Sequence, residues 1–239
     1  MDEIVNSLHK LKLPGMADCW TSLSETHRLD KLSLREGLQL LLQTEQDTRR
    51  SNRVTRLIKE ARFCYMASLE EMEMSVERGM DAATVSQLGT GAFVRDGNTV
   101  IVCGPAGTGK TYLAMALGER ACRLGYHVAY FNMQKLMERI RLERLQGHEI
   151  KFFEKIAHID LLILDDFGMR NLEGQQQNDF EQLVDDRYRK KALIIASQLP
   201  VADWYPVIGN ELIAEACLDR IVHKAIRFQL KGESLRKKY

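Results

Sequence analysis

The sequence predicts an α/β protein: a parallel sheet sandwiched by helices, preceded by a small all-helical domain. Three observations carry that prediction. Four short runs, 99–103, 128–131, 161–164 and 192–196, are apolar on both faces, as strands of a doubly covered parallel sheet must be. Longer amphipathic segments lie between them, for example 111–123 and 175–189. The first third of the chain shows helical spacing and no strand-like alternation.

Taken in order, Leu8, Leu11 and Leu13 precede a break at Pro14-Gly15. Leu34, Leu38, Leu41 and Leu42 then fall at helical spacing, after Ser33 as a helix cap with Glu36 three residues on. A charged stretch runs from Glu45 to Arg62. Residues 80–97 are rich in glycine and small side chains, so the organisation expected is a helical domain over 1–75 and an α/β domain over 76–239.

Composition bounds the function. A formal net charge of +1 supplies no global field for nucleic acid, so any such case rests on local charge. The acidic start, Met1-Asp2-Glu3, lacks the basic region of a secretory signal, and no apolar run approaches the ~20 residues of a membrane span. Cys19, Cys64, Cys103, Cys122 and Cys217 are scattered, with no CxxC pair. The expectation is a cytoplasmic protein with reduced thiols and no membrane partner.

The strand at 99–103 runs into Gly104-Pro105-Ala106-Gly107-Thr108-Gly109-Lys110-Thr111, followed by Tyr112 and a helical pattern. GxxxxGK[ST] in that context is a phosphate-binding loop. Glycines let backbone amides converge on phosphates, and the helix adds its positive end. ATP and magnesium are the expected ligands: Lys110 reaches the β- and γ-phosphates, and the Thr111 hydroxyl meets the metal. The run 161–164 ends in Asp165-Asp166. Asp165 is placed to hold magnesium and Asp166 to orient or deprotonate the attacking water; a loop cap is the plainer alternative for Asp166. Gln198, after the fourth run, lies where a side chain could sense the γ-phosphate, although strands commonly end in polar residues.

Together these residues resemble the AAA+ ATPases, and within them the IstB-like transposition helpers, relatives of the helicase loader DnaC. The likeness rests on GPAGTGKT at 104–111, LLILDDFG at 161–168, IIASQLP at 194–200 and LDRIVHKAIRFQLKGESLRKK at 218–238. The amino-terminal stretch 11–16 and the Arg62-Phe63 region also resemble the family, so the likeness covers nearly the whole chain. It implies that Arg220 is an arginine finger completing a neighbour's site, that Arg236 is a second arginine sensor, and that Gln198 is the polar sensor where asparagine is more usual. It also implies little or no carboxy-terminal helical lid. From the residues alone, each arginine could equally be a surface group.

Candidate DNA contacts are local. Arg49, Arg50, Arg53, Arg56, Lys59 and Arg62 stand against one acid, Glu60. On a helix Arg49, Arg53, Arg56 and Lys59 share a face, opposite Val54, Ile58, Ala61 and Tyr65. Such a face suits a phosphate backbone, and a solvated helix is the alternative. A second group, Arg139, Arg141 and Arg144 with Lys135, is interleaved with Glu138 and Glu143, so a salt-bridged helix is its alternative. Lys231, Arg236, Lys237 and Lys238 read as a basic tail.

The resemblance implies an ATP-dependent helper that oligomerises on duplex DNA, as a ring or helix with ATP between subunits, and stimulates a transposase. The rival is a helicase loader preferring single strands. The amino-terminal third lacks the cysteine cluster typical of DnaC, which favours the helper.

Overall fold

The computed structural model describes residues 3–235. Arg236, Lys237 and Lys238 lie outside them. The chain divides into two compact units, one ending at Arg56 and the other beginning at Leu57.

The first unit holds α1 (Glu3–Lys10), α2 (Pro14–Glu25) and most of α3 (Leu34–Ala61). Pro14 opens α2, where its missing N–H would have had no helical partner. Gly15 is buried because a Cβ there would stand 2.8 Å from Glu45 Cα, so α2 and α3 touch backbone to backbone. Glu45, 5% exposed, accepts from the Met16 amide at 3.1 Å and from Arg49 Nε at 2.7 Å. The expected cap of α3 is reciprocal. The Ser33 amide donates to Glu36 Oε2 at 2.9 Å, and the Glu36 amide donates to Ser33 Oγ at 3.3 Å. The leucines that revealed α3 are not core: Leu34 is 90% exposed and Leu38 53%.

α3 stops at Ala61 because Arg62 takes a left-handed conformation, φ 57°. Tyr65 therefore lies beyond the helix and does not extend its apolar stripe; the buried apolar positions of α3 are Leu57 and Ala61. Both pack with Ala67 in the core of the second unit, so compactness divides the chain at 56/57 and not where composition shifts, near 75/76.

In the second unit, the stretch rich in glycine and small residues holds α4 (Ala82–Gly89) and α5 (Ala92–Arg95). Asp81 caps α4 by accepting from the Thr84 amide at 2.9 Å. Then follow β1 (Thr99–Cys103), α6 (Lys110–Arg123), β2 (Val128–Asn132), α7 (Met133–Leu145), α8 (Glu149–His158) and β3 (Leu161–Phe167). The order ends with α9 (Gln175–Arg187), β4 (Ala192–Ser197), α10 (Trp204–Ile208), α11 (Glu211–Val222) and β5 (Ile226–Gln229).

All five strands pair in parallel, in the order β2-β3-β4-β1-β5. Alternation along each strand divides the core. Val100, Val102, Leu161, Ile163, Ala192 and Ile194 face α6 and the α4–α5 pair. Ile101, Cys103, Leu162, Leu164, Leu193 and Ile195 face α7 to α11. Covering on both faces is why β1 to β4 read as apolar runs, whereas the edge strand β5 alternates, with Arg227 and Gln229 exposed. Every carboxyl end falls on one sheet edge, and β5 is followed among the described residues only by a short irregular stretch to Leu235, with no helical lid.

Among the described residues the cysteines form no disulfide; burial pushes the Cys103 thiol up to about 11 and those of Cys122 and Cys217 up to about 12. No described helix is long and apolar enough to cross a membrane.

Arg187 ties α9 to the amino edge of the sheet. It is 2% exposed; Nη1 donates to the Ile156 carbonyl at 3.0 Å, and Nη2 to those of Ile159 at 3.0 Å and Ala192 at 2.6 Å. Those carbonyls belong to the end of α8, the residue after it and the start of β4. Replacing Arg187 with methionine keeps the bulk and removes these bonds, although the Ile156 carbonyl keeps the Ile159 amide as a donor at 3.1 Å. Hydrogen bonds from a charged group are worth about 1.5–3 kcal/mol, and Arg187→Met is expected to lower stability by about that much. Urea unfolding should show a lower midpoint at unchanged slope.

Candidate active site

The phosphate loop leaves the buried end of β1 and enters α6. Gly107 has φ 79°, and a Cβ there would collide with the Ser234 side chain, which crosses the loop. Gly104 likewise has no room for a Cβ beneath the Leu230 carbonyl. These two glycines are thus required by chain packing as well as by phosphate access. The Leu235 amide donates to the Gly107 carbonyl at 2.9 Å, pinning the chain's last described residue to the loop. Lys110, 7% exposed, donates to the Pro105 carbonyl at 2.8 Å, and the Thr108 hydroxyl donates to the same oxygen at 2.8 Å.

β3 brings the paired acids to the loop. The Thr111 hydroxyl donates to Asp165 Oδ1 at 3.1 Å, although 54 positions separate them. Asp165 is 3% exposed, and its other oxygen accepts from the Tyr130 hydroxyl at 2.7 Å. Burial, then hydrogen bonding to Cys64 and Asp165, pushes the Tyr130 phenol far up, so it is a neutral donor. The register with β4 slips between Leu164 and Phe167: Leu164 pairs with Ile195 and Phe167 with Ser197. One extra residue bulges from β3. Asp166 occupies the bulge in a left-handed conformation, φ 56°, which costs a non-glycine residue about 1–3 kcal/mol. The strain is held by three contacts. The Asp166 amide donates to Asp165 Oδ1 at 3.0 Å, Asn132 Nδ2 donates to Asp166 Oδ2 at 2.9 Å, and the Ser197 hydroxyl donates to the Phe167 carbonyl at 2.7 Å.

A cavity of about 550 Å³ opens over these groups. Gly107, Lys110, Thr111, Asp166 and Gln198 line one part, and Tyr65, Met72, Met80, Tyr112 and Leu235 another. The loop residues therefore lie beside a wall of aromatic and apolar side chains that also carries Glu71, Glu73 and Arg78, in a cavity of a size suited to a nucleotide. The Tyr65 and Tyr112 rings stand 6.2 Å apart, and the Tyr112 hydroxyl donates to the Ser68 carbonyl at 3.3 Å. Sequence reasoning reached Tyr112 from its place after Thr111 but assigned Tyr65 to a helix stripe. It missed Met72 and Met80, which lie beside no strand or motif, and Tyr130 and Asn132, whose only signal was their place at the end of the second apolar run.

The other expected residues lie apart. Gln198 is exposed just past β4, at the cavity. Arg220, in the last turn of α11, borders a hollow with Asn98, Thr99 and Lys191, at the end of β1 opposite the phosphate loop. Its Nε meets Asp185 Oδ1 at 2.8 Å and its Nη1 donates to the Ala216 carbonyl at 2.8 Å. On α7, Arg139 pairs with Glu143 at 2.5 Å and Arg141 with Glu138 at 2.7 Å. Arg144 pairs with Glu149 at 2.6 Å and Asp179 at 2.5 Å, so it braces α7 against α8 and α9; those two hydrogen bonds hold its guanidinium well above the usual range. On α3, Arg49, Arg50, Arg53, Arg56 and Lys59 are exposed, with Arg49 on Glu45 at 2.7 Å.

Thr111 Oγ1 and Asp165 Oδ1 present oxygen donors side by side, the donor type magnesium takes. Asn132 has two duties: it holds Asp166, and its Oδ1 caps α7 by accepting from the Gln134 amide at 3.2 Å and the Lys135 amide at 3.4 Å. Asn132→Ala is expected to lower stability by about 1 kcal/mol through the lost cap, seen as an earlier urea midpoint.

The family model for IstB-like ATP binding proteins matches residues 6–239. A protein of Sinorhizobium fredii named as an insertion sequence ATP-binding protein, y4pL, is 36% identical over 98% of this chain and 95% of its own. The ATP-binding protein named for insertion sequence IS21 in Pseudomonas aeruginosa is 31% identical over 100% of this chain and 90% of its own. Among solved structures, AMPPCP-bound DnaA from Aquifex aeolicus superposes with a TM-score of 0.60 at 22% identity, over 73% of this chain and 53% of that one. That likeness shows the AAA+ fold. With the family model spanning nearly all of the sequence, the chain belongs to the IstB-like ATP-binding proteins.

Proposed function

We propose that this chain is a magnesium-dependent ATPase that assembles on duplex DNA and assists the transposase of an insertion sequence. The observation that carries the reading is the meeting of Thr111, Asp165 and Asp166 beside Lys110, in a cavity with an aromatic wall. Relatives named for insertion sequences and ATP binding support the transposition setting. A cytoplasmic location fits that setting.

In this reading Lys110 meets the β- and γ-phosphates, and Thr111 and Asp165 hold magnesium. The ion, when bound, neutralises charge on the phosphates. Asp166 orients the attacking water and accepts its proton. Gln198, at the cavity, senses the γ-phosphate, and Arg236 is the second arginine sensor. Arg220 lies at the other end of β1 from its own phosphate loop, so it acts on a neighbouring subunit's ATP once released from Asp185. Nucleotide between subunits then favours a ring or helical assembly.

The DNA contacts proposed are the exposed cations of α3, with α1 to α3 as the DNA- and partner-binding part. The α7 arginines are a second candidate set, interleaved with the carboxylates they hold. Phosphate contacts of this kind give sequence-independent, salt-sensitive affinity.

The first experiment is binding to matched duplex and single-stranded DNA, with and without ATP, while assembly size is followed. ATP-dependent assembly on duplex is expected, and single-strand preference would favour a helicase loader. Lys110→Ala removes charged hydrogen bonds worth about 1.5–3 kcal/mol and is expected to weaken ATP binding at least about tenfold. Asp166→Asn, which tolerates the left-handed backbone, should bind ATP and not turn it over. Mixing Arg220→Ala with Lys110→Ala subunits should restore hydrolysis that neither shows alone; no recovery rejects action in trans. Arg50→Ala with Arg53→Ala should reduce the logarithmic salt dependence of DNA binding by about two, at about 0.9 per phosphate contact.

A further inference from the structure

One buried group at the metal side of the site is outside every nucleotide-binding motif in the sequence. Tyr130 sits in the middle of β2, 9% exposed, and its hydroxyl donates to Asp165 Oδ2 at 2.7 Å. The β2–β3 register pairs Asn132 with Asp165, so Tyr130 is the diagonal neighbour on the same face, a distance a tyrosine spans and shorter side chains do not. The opposite oxygen, Oδ1, receives the Thr111 hydroxyl at 3.1 Å and the Asp166 amide at 3.0 Å. With donors on both oxygens, the carboxylate cannot rotate without stranding one of them in a site that is 3% exposed.

We propose that Tyr130 is a positioning residue of the magnesium site: by holding Oδ2, it turns Oδ1 of Asp165 towards Thr111, so that both oxygens face the metal together. The inference rests on the reading that Thr111 and Asp165 hold magnesium. Tyr130 touches neither metal nor nucleotide; it acts through the carboxylate it orients. Phenylalanine at 130 would keep the ring packed in the core and leave Oδ2 bare, so the carboxylate would turn in search of another donor. Outer partners of metal ligands commonly matter about 10–100-fold in metal affinity.

The test is a magnesium chloride titration of fluorescent N-methylanthraniloyl-ATP binding to the full chain, with binding of the metal-free ADP analogue in EDTA as the control. Tyr130→Phe is expected to raise the magnesium midpoint at least about tenfold and to leave metal-free ADP affinity unchanged. In an Asp165→Ala background, adding Tyr130→Phe should shift nothing further, because the group it orients is gone. An unchanged midpoint in Tyr130→Phe overturns the proposal. An equal loss of metal-free ADP binding also overturns it, since the tyrosine would then serve the fold of the pocket. If Asp165→Ala itself leaves the wild-type magnesium midpoint in place, the metal reading fails, and with it the premise. Thermal unfolding of each variant shows whether the protein titrated is folded.

Discussion

The site depends on one buried carboxylate. Asp165 ends the apolar stretch of β3 at 3% exposure, where an ionised group is tolerated only with hydrogen-bond donors on its oxygens. Those donors come from three parts of the chain: Tyr130 on β2, Thr111 at the start of α6, and the amide of Asp166. Satisfying Asp165 therefore fixes how β2, β3 and the phosphate loop meet. The same contacts set the Thr111 and Asp165 oxygens side by side. The bonds that satisfy the buried acid are therefore also the ones that order the sheet edge beside the phosphate loop.

Asp166 shows the opposite relation. Its left-handed backbone is unfavourable for a residue with a side chain, and the bulge interrupts the β3–β4 ladder. The structure offsets that with Asn132 on the side chain and Ser197 on the next carbonyl. A regular strand would have sent residue 166 to the opposite face from residue 165. The bulge instead keeps Asp166 at the cavity, with its amide on Asp165 Oδ1, at a local cost in backbone strain.

Charge is organised differently on the two arginine-rich helices. On α7 the arginines are absorbed by carboxylates of α7, α8 and α9, and Arg144 serves the packing of all three. On α3, Arg49 is tied to buried Glu45, while Arg50, Arg53, Arg56 and Lys59 remain at the surface. Arg139 and Arg141 hold acids of their own helix and stay more than half exposed. Arg144 alone of the three becomes a brace, because the tertiary structure brings Glu149 and Asp179 to it.

The sequence by itself determined four of the five strands, because a doubly covered parallel strand must be apolar on both faces and such runs are visible without coordinates; the edge strand β5, with Arg227 and Gln229 exposed, carries no such run. It determined the phosphate loop and the paired acids for a similar reason: glycines, lysine and carboxylates at fixed spacing after a strand have few other uses. The reciprocal cap at Ser33 and Glu36 was legible because it is local. Tertiary structure alone decided that Tyr65 leaves α3 to line the cavity beside the phosphate loop, that Leu57 belongs to the second unit's core, and that Tyr130 and Asn132 hydrogen-bond the acids. It also decided that Leu34 and Leu38 would be exposed despite their helical spacing. Periodicity reports which side chains share a face, but burial and hydrogen bonding depend on what another, distant segment brings to that face.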